Sequence, residues 1–124
     1  MLKSEHEQNT VTEAEINLLH QQVCYALSDP TRILILYILK EGPRSVGELT
    51  TRMKLPQSTV SRHLRVLRDR SIISLEKRGT SNLYTIADTR IVDALDLLRQ
   101  VLNQQLTEQA KLTAAIQNTI PLKE

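Results

Sequence analysis

The sequence predicts a mainly α-helical domain carrying one two-stranded β-hairpin, and three observations predict it. Apolar residues recur at helical spacing over most of the chain. They are largely Leu, Ile and Val, while Gly (three) and Pro (four) are scarce among 124 residues, which disfavours an all-β sandwich. Only residues 73–86 alternate with the period of a strand. The length suits one domain, expected over 12–118, with polar tails at 1–11 and 119–124.

Taken in order, Thr12 and Glu15 form a capping-box pair. Ile16, Leu19, Val23, Ala26 and Leu27 then continue as a helix. Ser28-Asp29-Pro30 breaks the chain and restarts it, with Asp29 as cap and Pro30 in the first helical position. The run 33–39 is apolar on nearly all sides, as expected at the centre of a domain. Glu41-Gly42-Pro43 ends it. Ser45 with Glu48 opens a short helix whose inner face is Leu49 and Met53. After the turn Lys54-Leu55-Pro56, a helix runs from about residue 57 to 70, completing a helix-turn-helix. Ile73 and Leu75, then Tyr84 and Ile86, are the inward positions of a hairpin with the basic tip Lys77-Arg78-Gly79. From Asp88 the helical spacing returns in Ile91, Leu95, Leu98, Leu102 and Leu106. The order is that of a winged helix-turn-helix: mainly α, with a two-stranded β-wing.

Composition excludes several function classes. Three Tyr with no Trp or Phe leave no aromatic platform for single-stranded nucleic acid. One Cys rules out an internal disulfide framework and a Cys-rich zinc finger. The first fifteen residues are polar and acidic, unlike a signal peptide, and no apolar run reaches a membrane span, so a cytoplasmic location is expected. No Gly-rich phosphate loop or nucleophile elbow suggests an enzyme, and no cofactor is expected.

The net charge of +2 hides a strong asymmetry. Residues 52–78 hold eight basic and two acidic side chains, a net +6. The remainder holds eight basic and twelve acidic, a net −4. A basic block in an acidic frame is the footprint of a surface that meets phosphate. Within the helix after the turn, Val60, Leu64 and Leu67 form an apolar stripe, and Ser58, Ser61, Arg62, Arg65 and Asp69 occupy another face. Small hydroxyl residues let a helix sit deep in the major groove. There Arg62 can reach guanine O6 and N7, and Gln57 can pair with adenine. Lys77 and Arg78 can reach backbone or an adjacent groove. Thr59 belongs to the same segment, and His63 is expected at the helix edge, near phosphate. The partner these features describe is double-stranded DNA.

The stretch from LSDPTRILILYIL at 27–39 through QSTVSRHLRVLRD at 57–69 to the wing resembles the ArsR/SmtB family of winged-helix transcriptional repressors. The resemblance spans roughly residues 19–106. It implies a homodimer formed by the first and last helices, through Ile16, Leu19, Val23, Ile91, Leu95, Leu98 and Leu102, bound to a two-fold symmetric operator. It matches Gln57, Ser58, Ser61 and Arg62 to the family's DNA-contacting helix residues, and Arg78 and Gly79 to its wing.

The resemblance does not bring a metal with it. Where one familiar site has a Cys-x-Cys pair, this chain has Ser45 and Gly47. Where another has Asp-x-His on the last helix, Asp88 is followed by Arg90, and no His occurs from 91 onward. Asp88, Asp93 and Asp96 fit simple matching to a helix dipole. His20 and Cys24, four apart on one helix face, remain as a candidate effector or redox pair. Against that stands Cys24 as a small residue buried at the dimer interface. A second alternative is a helical interaction module that binds no DNA.

Overall fold

The breaks expected in the sequence are each built by a particular side chain. The computed structural model describes residues 10–119; residues 1–9 of the expected N-terminal tail and 120–124 of the C-terminal one lie outside the described residues. Thr12 accepts the Glu15 amide at 3.1 Å and starts α1 (Glu13–Leu19). This helix runs directly into a π-helical turn over His20–Cys24, in which the Tyr25 N–H bonds His20 O, five residues back, at 2.9 Å. Nothing in the residue pattern foretells that widening. Asp29 accepts the Thr31 amide at 2.7 Å, and Pro30 opens α2 (Pro30–Lys40).

Ser45 and Glu48 exchange both bonds of a capping box, at 3.1 Å each, to start α3 (Val46–Met53). The Ser45 amide bond holds the Glu48 carboxyl below its ordinary pKa. Lys54 then takes a left-handed conformation (φ 55°), and α4 (Gln57–Asp69) begins after Pro56. α4 ends in a Schellman motif: Ile72 N–H bonds Leu67 O at 2.9 Å and Ser71 N–H bonds Arg68 O at 3.0 Å. Ser71, at φ 61°, holds the left-handed position where Gly is usual.

The wing follows as β1 (Ile73–Arg78) and β2 (Ser81–Ile86), antiparallel, with Ile73 opposite Ile86 and Arg78 opposite Ser81. Gly79 at φ 62°, followed by Thr80 with no positive φ, makes a two-residue turn of the II′ kind. Arg44, just before α3, pairs with Tyr84 through two backbone bonds of 3.1 and 2.7 Å and so ties the wing's inner strand to the start of the helix-turn-helix.

The chain divides into two compact units at residue 89. In the first, α2 packs on α4 and β2, α3 on α4 and β2, and α4 on β1. Its core is Ala26, Ile35, Leu36, Ile38, Leu39, Leu49, Val60, Leu64, Leu67, Ile72 and Ile73. The second is α5 (Arg90–Thr119), whose Val92 and Leu95 are buried and whose Leu97, Leu98, Val101, Leu102, Leu106, Leu112 and Ile116 are exposed. Leu95, expected to face a partner chain, is 6% exposed. No helix among the described residues is long and apolar enough to cross a membrane.

Candidate nucleic-acid interface

Two stripes of α4 carry the site. Val60, His63, Leu64 and Leu67 repeat at 0, +3, +4 and +7 and are all buried. Ser58, Ser61, Arg62 and Arg65 repeat at the same spacing, shifted by two residues, and are all exposed. Two residues turn a helix by about 200°, so the second stripe stands opposite the first. The core side chains thus aim the hydroxyls and guanidiniums outward. Gln57 is also exposed, and Thr59 is half-buried at the boundary.

The start of α4 suits an anion. Pro56 occupies the cap position, no side chain caps it, and the first turn holds no acid. The leading amides and the positive end of the helix dipole then favour phosphate. Lys54 stands exposed three residues before Gln57. On the wing, Lys77, Arg78 and Gly79 are exposed. Arg78 pairs with Glu76 on the same strand face at 3.3 Å. Both partners are about half exposed, so the pair contributes little and phosphate can compete for the guanidinium. Arg65 and Asp69 form a similarly loose pair at 4.0 Å.

His63 does not belong to this face. It is 6% exposed and lies on the core stripe, with Arg32 Nη1 3.2 Å from its Nδ1. The expectation of a phosphate contact is corrected: the ring points away from the exposed face of its own helix. A guanidinium only donates, so Nδ1 accepts and the ring is the neutral tautomer with its proton on Nε2. Burial pushes the His63 pKa down; Asp29 opposes this, and the charges of Arg32 and Arg62 add to it.

Arg32 is the site residue that reading by motif missed. Only 8% exposed, it donates from Nε to Ala26 O at 2.8 Å, from Nη2 to Tyr25 O at 3.1 Å and to Ser28 Oγ at 3.4 Å, and from Nη1 to His63. One side chain thus closes the end of the first helical segment and holds the middle of α4. Its signal was in the sequence: Arg32, Ile35, Leu36 and Leu39 share the 0, +3, +4, +7 spacing of a buried stripe.

His20 and Cys24 both fall in the π turn and both are exposed, so Cys24 is not a buried packing residue of the single chain. Among the described residues, no three His, Cys, Asp or Glu side chains come together to hold a metal ion.

A capped helix-turn-helix, an outward polar stripe on its second helix and a basic two-stranded wing define a winged helix-turn-helix DNA-binding domain. Residues 29–74 match the family described as "Bacterial regulatory protein, arsR family". An HTH-type transcriptional regulator of Methanocaldococcus jannaschii is 36% identical over 81 residues, covering 64% of this chain and 91% of that protein. The structure of HlyU from Vibrio cholerae aligns with a TM-score of 0.64 at 29% identity, over 73% of this chain and 97% of that one. A homodimeric winged helix-turn-helix DNA-binding domain from Mycobacterium bovis aligns at 0.66 and 26% identity, over 78% and 92%. The chain belongs to the arsR family of transcriptional regulators, which are DNA-binding proteins and not enzymes.

Proposed function

We propose that this protein is a sequence-specific double-stranded DNA-binding regulator that acts as a homodimer and represses transcription at a two-fold symmetric operator in the cytoplasm. The observation that carries this reading is the exposed stripe Ser58, Ser61, Arg62 and Arg65, set opposite a fully buried one. Arg62 reads guanine and Gln57 adenine. Ser58, Thr59, Ser61 and Arg65 line the groove or its phosphates, and Lys77, Arg78 and Gly79 bring the wing to the backbone. Self-association is supported by the exposed apolar side chains Ile16, Leu19, Leu98 and Leu102 and by the half-buried Val23 and Ile91. The M. bovis domain of the same fold is itself homodimeric. Repression requires only occupancy of DNA, which a dimer spanning 12–118 supplies.

The test is selection of bound duplexes from a random pool. Recovery of two half-sites about one DNA turn apart, roughly 34 Å, is expected. Transcription from a promoter overlapping the recovered site should fall when protein is added; a rise would overturn repression. Binding that does not weaken with salt, or no enrichment, would favour the interaction-module reading.

A second reading has one observation behind it. Cys24 is exposed and sits in a non-standard helical turn, so a thiol reagent can reach it in the single chain. In that reading Cys24, with His20 one turn away, makes operator binding sensitive to thiol oxidation. Ser45, Gly47 and Arg90 supply no ligands for a metal response at the family's usual positions.

A further inference from the structure

The π turn and the end of α4 are joined by one side chain. In a regular α-helix the Tyr25 N–H would bond the Gln21 carbonyl. Here it bonds His20 O instead, and Gln21 O accepts from Arg70 Nη1 at 2.7 Å. Arg70 also lies 3.5 Å from Gln22 Oε1. It caps the C-terminus of α4, so the widened turn of the first helical segment is pinned to the end of the proposed DNA-reading helix.

The Tyr25 ring completes the joint. The Arg70 guanidinium carbon lies 4.7 Å from its centroid and that of Arg32 5.6 Å. Arg32 in turn holds His63, in the middle of α4. One aromatic ring therefore touches two cations that fix α4 at two points about seven residues apart, near 10 Å along its axis. Tyr25 is 47% exposed, more than a residue kept for core packing would be. Cation–π contacts at such exposure give only modest stability.

We infer that Tyr25 and Arg70 are positioning residues for DNA recognition, fixing the orientation of α4 against the π turn without touching DNA. The inference rests on the reading that α4 meets DNA. A helix held at two points enters the groove at one angle. A helix released at its end still carries its charges, so it keeps binding phosphate but loses register with the bases.

The test uses the full chain and two duplexes: one selected by the wild type from a random pool, and a random-sequence duplex of equal length. Tyr25→Leu and Arg70→Gln should each weaken binding to the selected duplex about tenfold. Random-duplex affinity and the salt slope should stay at wild-type values. Tyr25→Phe keeps the ring and should bind like the wild type. The double variant should be no worse than the more affected single one, because both break one joint. Thermal melts confirm that each variant is folded, and Arg70→Gln decides alone if Tyr25→Leu is not. Wild-type selectivity in folded Arg70→Gln overturns the inference. So does equal loss on both duplexes with a salt slope smaller by about one, the mark of a phosphate contact. Arg62→Ala serves as the separate check on the underlying reading: if it leaves selectivity intact, the DNA-facing stripe is wrong, whatever Tyr25 and Arg70 do.

Discussion

Replacing Arg32 with Met should destabilise the protein by about 2–5 kcal/mol, and the structure shows where the loss arises. Met keeps the apolar stem and removes the guanidinium. Tyr25 O retains the Ser28 amide at 3.2 Å, and the 3.4 Å contact to Ser28 Oγ is too long to count for much. Ala26 O and His63 Nδ1 lose a charged donor, at 2.8 and 3.2 Å, in buried surroundings. Each acceptor left without its donor costs about 1–3 kcal/mol. Relief from burying a charge offsets part of the sum. A domain of this size has about 5–15 kcal/mol in total, so the variant should lie near the threshold of folding. Arg32→Lys should recover less than half, because an ammonium cannot reach both acceptors as a planar fork does. Urea unfolding followed by circular dichroism, at one protein concentration because a dimer's stability depends on it, gives the number. A loss under about 1 kcal/mol with an unchanged denaturant slope would refute the account of Arg32 as the clamp between the first helical segment and α4.

Three further outcomes are expected. The His63 pKa is depressed in the fold, so the unfolded chain binds the proton more readily; stability should be complete above pH about 6.5 and decline as pH falls below it towards the lower folded value. His63→Asn, which keeps an acceptor near Nδ1, should flatten that part of the curve, and equal pH profiles for the two proteins would count against it. Arg62→Ala should weaken operator binding by about 1–3 kcal/mol and relax base preference, whereas Lys77→Ala should weaken all duplexes alike and lower the salt slope by about one; titrations at several salt concentrations separate them. Leu102→Glu, placed in the exposed stripe of α5, should shift sedimentation from the proposed dimer towards a species of single-chain mass, and an unchanged profile would remove Leu102 from the proposed interface.

Much of the fold was legible because local chemistry and periodicity agreed. Thr12, Asp29 and Ser45 cap the helices they were expected to cap, and Gly79 turns the hairpin. Val60, Leu64 and Leu67 oriented α4 correctly, and with it Ser58, Ser61, Arg62 and Arg65. His63 was misread because residue type was set above position: three residues after Val60, it falls on the stripe already drawn. Arg32 escaped for the same reason. The π turn left no mark in composition, and the carbonyl it frees, Gln21 O, is taken by Arg70, 49 residues away. The backbone pairing of Arg44 with Tyr84 is likewise independent of side-chain pattern.

Lys54 shows a conflict between rigidity and attraction at a single residue. Its left-handed backbone, φ 55° and ψ 42°, is one that glycine adopts freely and a residue with a Cβ adopts at about 1–2 kcal/mol. Glycine would relieve that strain, with part of the gain returned through the freer unfolded chain. Glycine would also leave the approach to α4 without a cation, where the helix start already favours phosphate. The turn therefore exchanges backbone comfort for a positive charge just before the helix proposed to meet DNA. Selection for thermal stability alone would push this position towards glycine and selection for DNA affinity would hold it at lysine, so the two objectives pull on Lys54 in opposite directions.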